Sequence, residues 1–196
     1  MLISRRTVAE FLGTALLVMA VVGSGIMAAG IAEVAARGGI RAIVGARSES
    51  SAAAALKQIT GGLARQVDKG KLEAGERDRI LANISTTVEL TGLADCDIVI
   101  ESVVEDLATK QQLFGELDAI VKPSAILATN TSTLSVVEMA KVTNRPDKVC
   151  GIHFFNPAAV LPLVEIVRPI TASDETIARA AAFVTSIGKE GVHVLD

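Results

Sequence analysis

A chain of 196 residues suits one domain able to bury roughly 70% of the surface its unfolded form exposes. Its net charge of −3 comes from intermixed signs with no basic block, which argues against a nucleic-acid partner, and an aromatic content of 3% without Trp or Tyr leaves no stacking platform for bases. Half the residues are apolar, so the core is expected to consist of Ala, Val, Ile and Leu. Cys96 and Cys150 lack metal-ligand spacing and read as reduced, buried thiols of a cytoplasmic protein.

The amino-terminal region admits two readings. Between Glu10 and Glu33 lie 22 uncharged residues, long enough to cross a bilayer as a helix, and Arg5 and Arg6 before them look like a membrane flank, a signal start or a twin-arginine export signal. The same stretch also reads as a strand, a tight turn and a helix start. Gly23-Ser24-Gly25-Ile26-Met27-Ala28 follows the dinucleotide pattern G-x-G-x-x-A, in which Gly23 makes the turn, Gly25 lets the backbone approach a pyrophosphate, and Ala28 permits close packing of helix on sheet. On this reading residues 1–12 are an atypical extension and residues 13–196 form the domain.

From residue 16 onward, strand and helix signals alternate, the pattern of a parallel sheet with crossover helices. An apolar run at 16–22 precedes a helix at 25–37 and a short β-type run at 40–44. Polar, Ala-rich helices follow at 48–67 and 74–81. Residues 97–100 form a continuous apolar run closing on Glu101, as expected of a strand buried on both faces. The helix at 106–121 places Leu107, Leu113, Phe114, Leu117, Ile120 and Val121 at helical spacing and stops before Pro123. Strands at 125–129 and 149–154 flank a helix at 135–141. A strand at 163–168, a helix at 174–187 and a strand at 192–195 complete the chain. The expected class is α/β, a Rossmann-type, mostly parallel sheet with helices on both faces.

The acidic residue expected about 20 positions beyond the glycine turn, which would hold the adenine ribose, is absent: the second strand runs Ile43-Val44-Gly45-Ala46-Arg47-Ser48. Arg47 would suit a 2′-phosphate, which opens NADP use beside NAD; a solvated surface arginine is the plain alternative.

Several separated motifs carry a resemblance. Besides Gly23-Ser24-Gly25-Ile26-Met27, these are Ile100-Glu101-Ser102-Val103-Val104-Glu105 with Lys110, Asn130-Thr131-Ser132, His153-Phe154-Phe155-Asn156-Pro157, and Pro162-Leu163-Val164-Glu165. From about residue 21 to 196 the chain resembles the NAD-binding domain of the L-3-hydroxyacyl-CoA dehydrogenase family, including 3-hydroxybutyryl-CoA dehydrogenases of fatty-acid and butyrate metabolism and β-oxidation. Residues 9–17 and 21–28 also resemble the first membrane helix of aquaporin-type channels.

The dehydrogenase resemblance implies an oxidoreductase acting on an acyl-CoA with a nicotinamide cofactor. His153 takes the hydroxyl proton, Glu165 orients and polarises its imidazole, and Ser132 hydrogen-bonds the substrate 3-oxygen. It further implies cofactor contacts through Gly23, Gly25, Ile26, Met27, Glu105, Lys110 and Asn130, and substrate contacts at Asn156 and Lys69. Gly62 stands where many family members carry a substrate-contacting serine. Family members continue into a helical domain that closes the cleft and mediates dimerisation, so the chain alone is expected to bind cofactor and turn over poorly. A non-catalytic nucleotide-binding module that needs a partner, and a membrane-anchored fragment, remain the alternative functions.

Overall fold

The structure, a computed structural model, describes residues 17–196. The expected extension at residues 1–12 lies outside the described residues. Eight strands form one sheet: β1 (Val18–Val22), β2 (Arg41–Gly45), β3 (Ile84–Thr87), β4 (Ile98–Glu101), β5 (Ile126–Thr129), β6 (Val149–Phe154), β7 (Leu163–Arg168) and β8 (Glu190–Leu195). Their spatial order is β3-β2-β1-β4-β5-β6-β7-β8. The pairings from β3 through β6 are parallel, β7 runs antiparallel to β6, and β8 runs parallel to β7. Strand order reverses between β1 and β4, which places a crevice at the carboxyl ends of those strands.

Among the described residues six α-helices cover the sheet: α1 (Ile26–Arg37), α2 (Glu49–Asp68), α3 (Ala74–Ala82), α4 (Leu107–Ile120), α5 (Val136–Ala140) and α6 (Asp174–Ser186). Side chains alternate across a strand, so each central strand feeds two cores. Met19, Val21, Ile98 and Ile100 pack with α1, α2 and α6, whereas Ala20, Val22, Val99 and Leu127 pack with Phe114 and Leu117 of α4 and Met139 of α5. Burying a side chain such as Phe114 stabilises the fold by about 2 kcal/mol. This double burial explains why the central strands read as unbroken apolar runs.

Side-chain caps fix the starts of three helices. Ser48 caps α2 and forms a reciprocal capping box with Ser51, Asp106 caps α4 through the Thr109 amide, and Ser173 caps α6 through the Thr176 amide.

Residues 18–37 decide between the two amino-terminal readings. They form a strand inside the sheet, a turn and a helix, and among the described residues no helix is long and apolar enough to cross a membrane. The likeness of residues 21–28 to a channel helix is therefore corrected: Val21 and Val22 are hydrogen-bonded between β2 and β4, and Gly23 breaks the backbone. The remaining residues of that likeness lie outside the described residues.

Candidate functional site: a glycine turn and a His–Glu pair on one sheet edge

The turn after β1 is shaped by close approach. Gly23 has φ +148°, its amide donates to Gly45 O at 2.9 Å, and a Cβ there would stand 2.4 Å from Ser102 O and 3.3 Å from the Ala28 Cβ. Only glycine fits. Gly25 is the opposite case, because a Cβ there would meet nothing within 4 Å. It caps α1 without a side-chain hydrogen bond, and the first turn of α1 carries no acidic residue. The free amides and positive end of α1 thus face open space suited to an anion, and the residues present fit a dinucleotide pyrophosphate. Ile26 is largely exposed beside this turn, while Met27 packs against the core.

A cavity of about 710 Å³ opens from the turn along the ends of β1, β2 and β4, with Gly23, Gly25, Ala46, Arg47, Glu89 and Val103 in its lining. Arg47 is exposed at this wall. Ser48 is engaged in the α2 cap, which leaves the guanidinium as the polar group at the end of β2 suited to an anion.

At the end of β4 a buried ionic network sets the next wall. Lys110 Nζ, with its side chain 1% exposed, donates to Glu101 Oε1 at 2.6 Å and lies 3.3 Å from Glu105 Oε2. Glu101 also accepts from the Val103 amide at 2.6 Å and from Thr129 Oγ1 at 2.7 Å, so both carboxylate oxygens are occupied. Glu105 is partly exposed and accepts from Thr131 Oγ1 and from the Ser132 amide, which ties it to the loop after β5. Burial opposes ionisation of Glu105, but these hydrogen bonds and the Lys110 charge outweigh it and hold the carboxyl below the usual range. Lys110 acts on Glu105 from beneath, because its ammonium is enclosed between the two carboxylates.

Asn130 braces the centre. Its side-chain oxygen accepts from the Phe154 amide at 2.8 Å and its amide nitrogen reaches Ser102 Oγ at 3.3 Å, joining the nucleotide side to β6. Ser132 is exposed two residues further on. Asn156 is exposed in the loop after β6, and Lys69 stands apart, exposed at the C-cap of α2.

His153 and Glu165 face each other directly in the β6–β7 register, with Nδ1 and Oε2 2.8 Å apart. The histidine side chain is 14% exposed and tilts against the Phe155 ring at 4.7 Å. With Nδ1–H donated to the carboxylate, Nε2 keeps the lone pair. The antiparallel pairing of β7 makes this pair, since residues twelve apart in sequence become cross-strand neighbours. Sequence reasoning did not reach Glu101, whose role had one visible trace, a charge closing an apolar strand run. Gly62 lies beside Glu33, with a Cβ placed 3.8 Å from Glu33 Oε2.

Comparison with known proteins identifies the family. Residues 18–196 match the family model described as 3-hydroxyacyl-CoA dehydrogenase, NAD binding domain. A 3-hydroxybutyryl-CoA dehydrogenase of Mycobacterium tuberculosis is 43% identical over 178 residues, which covers 90% of this chain and 62% of the relative. A probable 3-hydroxybutyryl-CoA dehydrogenase of Bacillus subtilis is 40% identical, covering 90% of this chain and 61% of the relative. The crystal structure of M. tuberculosis FadB2 superposes with a TM-score of 0.90 at 43% identity, over 93% of this chain and 65% of that one. The (S)-3-hydroxybutyryl-CoA dehydrogenase PaaH1 of Ralstonia eutropha gives the same TM-score at 32% identity, over 93% and 64%. The chain thus spans about three-fifths of the length of the relatives it matches. With that match, over a fold whose strand reversal carries the glycine turn, the chain belongs to the 3-hydroxyacyl-CoA dehydrogenase family and matches its NAD-binding domain.

Proposed function

We propose that this chain is the dehydrogenase domain that oxidises a 3-hydroxyacyl-CoA, such as 3-hydroxybutyryl-CoA, to the 3-oxoacyl-CoA. The observation that carries the reading is the His153–Glu165 pair at 2.8 Å, on the same carboxyl edge of the sheet as the glycine turn. When bound, the nicotinamide dinucleotide supplies the acceptor for the C3 hydride. His153 Nε2 takes the hydroxyl proton as that hydride leaves, and the Glu165 carboxylate stabilises the imidazolium that forms. Ser132 donates to the 3-oxygen. Gly23, Gly25, Ile26, Met27 and Asn130 hold the dinucleotide turn, with Glu105 set by Lys110 on the nicotinamide side and Arg47 on the adenosine side. Asn156 and Lys69 serve the acyl-CoA. Two unpaired, buried cysteines support a reducing compartment such as the cytoplasm.

The test is oxidation of NADH by acetoacetyl-CoA, the reverse reaction. The expected result is NADH consumption that depends on acetoacetyl-CoA and falls in E165Q by about tenfold or more, as for loss of a group that orients a general acid–base. NADH binding without any acetoacetyl-CoA-dependent oxidation would favour a non-catalytic nucleotide module. The absence of an acidic side chain at Gly45 and Ala46, with Arg47 beside them, supports acceptance of NADPH. Titration is expected to give similar NADH and NADPH affinities, with R47A weakening NADPH alone. NADH binding tighter by about tenfold, near 1.4 kcal/mol, would remove NADPH from the reading.

A further inference from the structure

Strand β8 lies at the edge of the sheet and contributes no group to the site, yet each of its ends is tied to a segment next to a proposed site residue, Ser132 or Asn156. At its start, Lys189 Nζ donates to Ala158 O at 2.7 Å and to Leu161 O at 2.8 Å. Those carbonyls belong to the connection between the His153 strand and the Glu165 strand, which also bears Asn156. The connection is wedged on its other side, because a Cβ at Gly30 of α1 would stand 3.2 Å from the Ala158 Cβ. Burial, and then the Arg37 charge nearby, hold the Lys189 ammonium below the usual lysine range, so the two carbonyls compensate a cation kept in an unfavourable place.

At the other end of β8, Asp196 reaches across 60 residues of sequence. Its Oδ1 accepts from the Val136 amide at 2.7 Å, and its Oδ2 accepts from the Val137 amide at 2.8 Å and from Ser135 Oγ at 3.0 Å. Helix α5 receives no side-chain cap from its own N-cap residue, Ser135. Asp196 supplies that cap from outside, while its amide donates to Arg168 O and fixes it to β7. The capped turn directly follows the loop that carries Ser132.

We propose that Lys189 and Asp196 are positioning residues, and that β8 is a strap setting the Ser132 loop and the Asn156 loop against the His153–Glu165 pair. The kinetic part rests on the dehydrogenase reading; the structural part does not. A strap of this kind acts locally, and a strand needed only for folding acts everywhere. Hydrogen exchange therefore separates them.

The experiment compares the full chain with D196A, D196N, K189M and K189R by segment-resolved amide exchange, NADH binding and single-turnover NADH oxidation by acetoacetyl-CoA. D196A is expected to raise exchange at residues 133–137 by about fivefold, the factor of a lost helix cap, with D196N intermediate. K189M is expected to raise exchange at residues 156–162 by a similar factor, and K189R to restore protection. Residues 18–37 and NADH affinity should stay within about twofold, while the single-turnover rate falls by more than that margin. Unchanged exchange in both loops would overturn the strap, as would a rise spread evenly over the chain. If the wild-type chain shows no oxidation, the dehydrogenase reading fails and the exchange pattern still decides the strap.

Discussion

Asp118 shows how much one side chain can carry away from the site. Its side chain is 4% exposed; Oδ1 pairs with Arg145 Nε at 2.6 Å and Oδ2 accepts from the amide and side chain of Asn144 at 2.8 and 2.9 Å. Arg145 also donates to the carbonyls of Asp118 and Lys122, so it closes the end of α4 against the turn before β6. Burial opposes ionisation of Asp118, but Asn144 and Arg145 outweigh it and hold the carboxyl below its usual range. D118A removes the carboxylate partner of a partly buried guanidinium and is expected to cost about 3 kcal/mol in urea unfolding. The pH dependence has a definite sign. A carboxyl whose folded pKa is lowered binds fewer protons folded than unfolded, so its contribution is complete above the ordinary carboxylate value and is lost as pH falls through the folded one. Glu105 and Asp118 share this direction. Stability measured against pH should decline on the acid side, less steeply in D118A; a parallel decline in both proteins would contradict the assignment.

At the scale of elements, the β1–α1 turn yields a contrast between two glycines. G23A places a Cβ on Ser102 O and at a φ that side chains rarely adopt, so it should lower thermal stability and abolish NADH binding together. G25A meets open space, so the fold should keep its melting temperature while the added methyl stands where the pyrophosphate approaches, and NADH binding should weaken by about tenfold or more. Equal effects of the two substitutions on stability would undo this account of the turn. The same scale shows what the chain made legible. Buried strands and amphipathic helices could be read to within a few residues, because each central strand fills two cores and three of the helices start at a capping Ser or Asp. Strand β3 escaped, because Ile84-Ser85-Thr86-Thr87 at the sheet edge has no apolar run to announce it. The direction of β7 escaped too, since strand polarity depends on the connection and not on the strand's own residues.

Across the whole molecule, the parallel order and its reversal between β1 and β4 bring motifs from residues 23, 105, 132 and 153 to one edge of the sheet. Their order along the chain, together with the family resemblance, was visible in the sequence. The supporting groups of β8 were not: Lys189 and Asp196 are ordinary charged residues until long-range pairing gives them partners 31 and 60 positions away. Local composition holds no trace of such partners. The most direct measurement of the central claim is single-turnover NADH oxidation by acetoacetyl-CoA, with protein in excess, in the wild-type chain and in H153Q. The account predicts that the wild type consumes NADH and that H153Q, with NADH affinity unchanged, does so about a hundredfold more slowly, the factor of a lost general acid–base. Equal rates in the two proteins, or no acetoacetyl-CoA-dependent oxidation in the wild type, would contradict it.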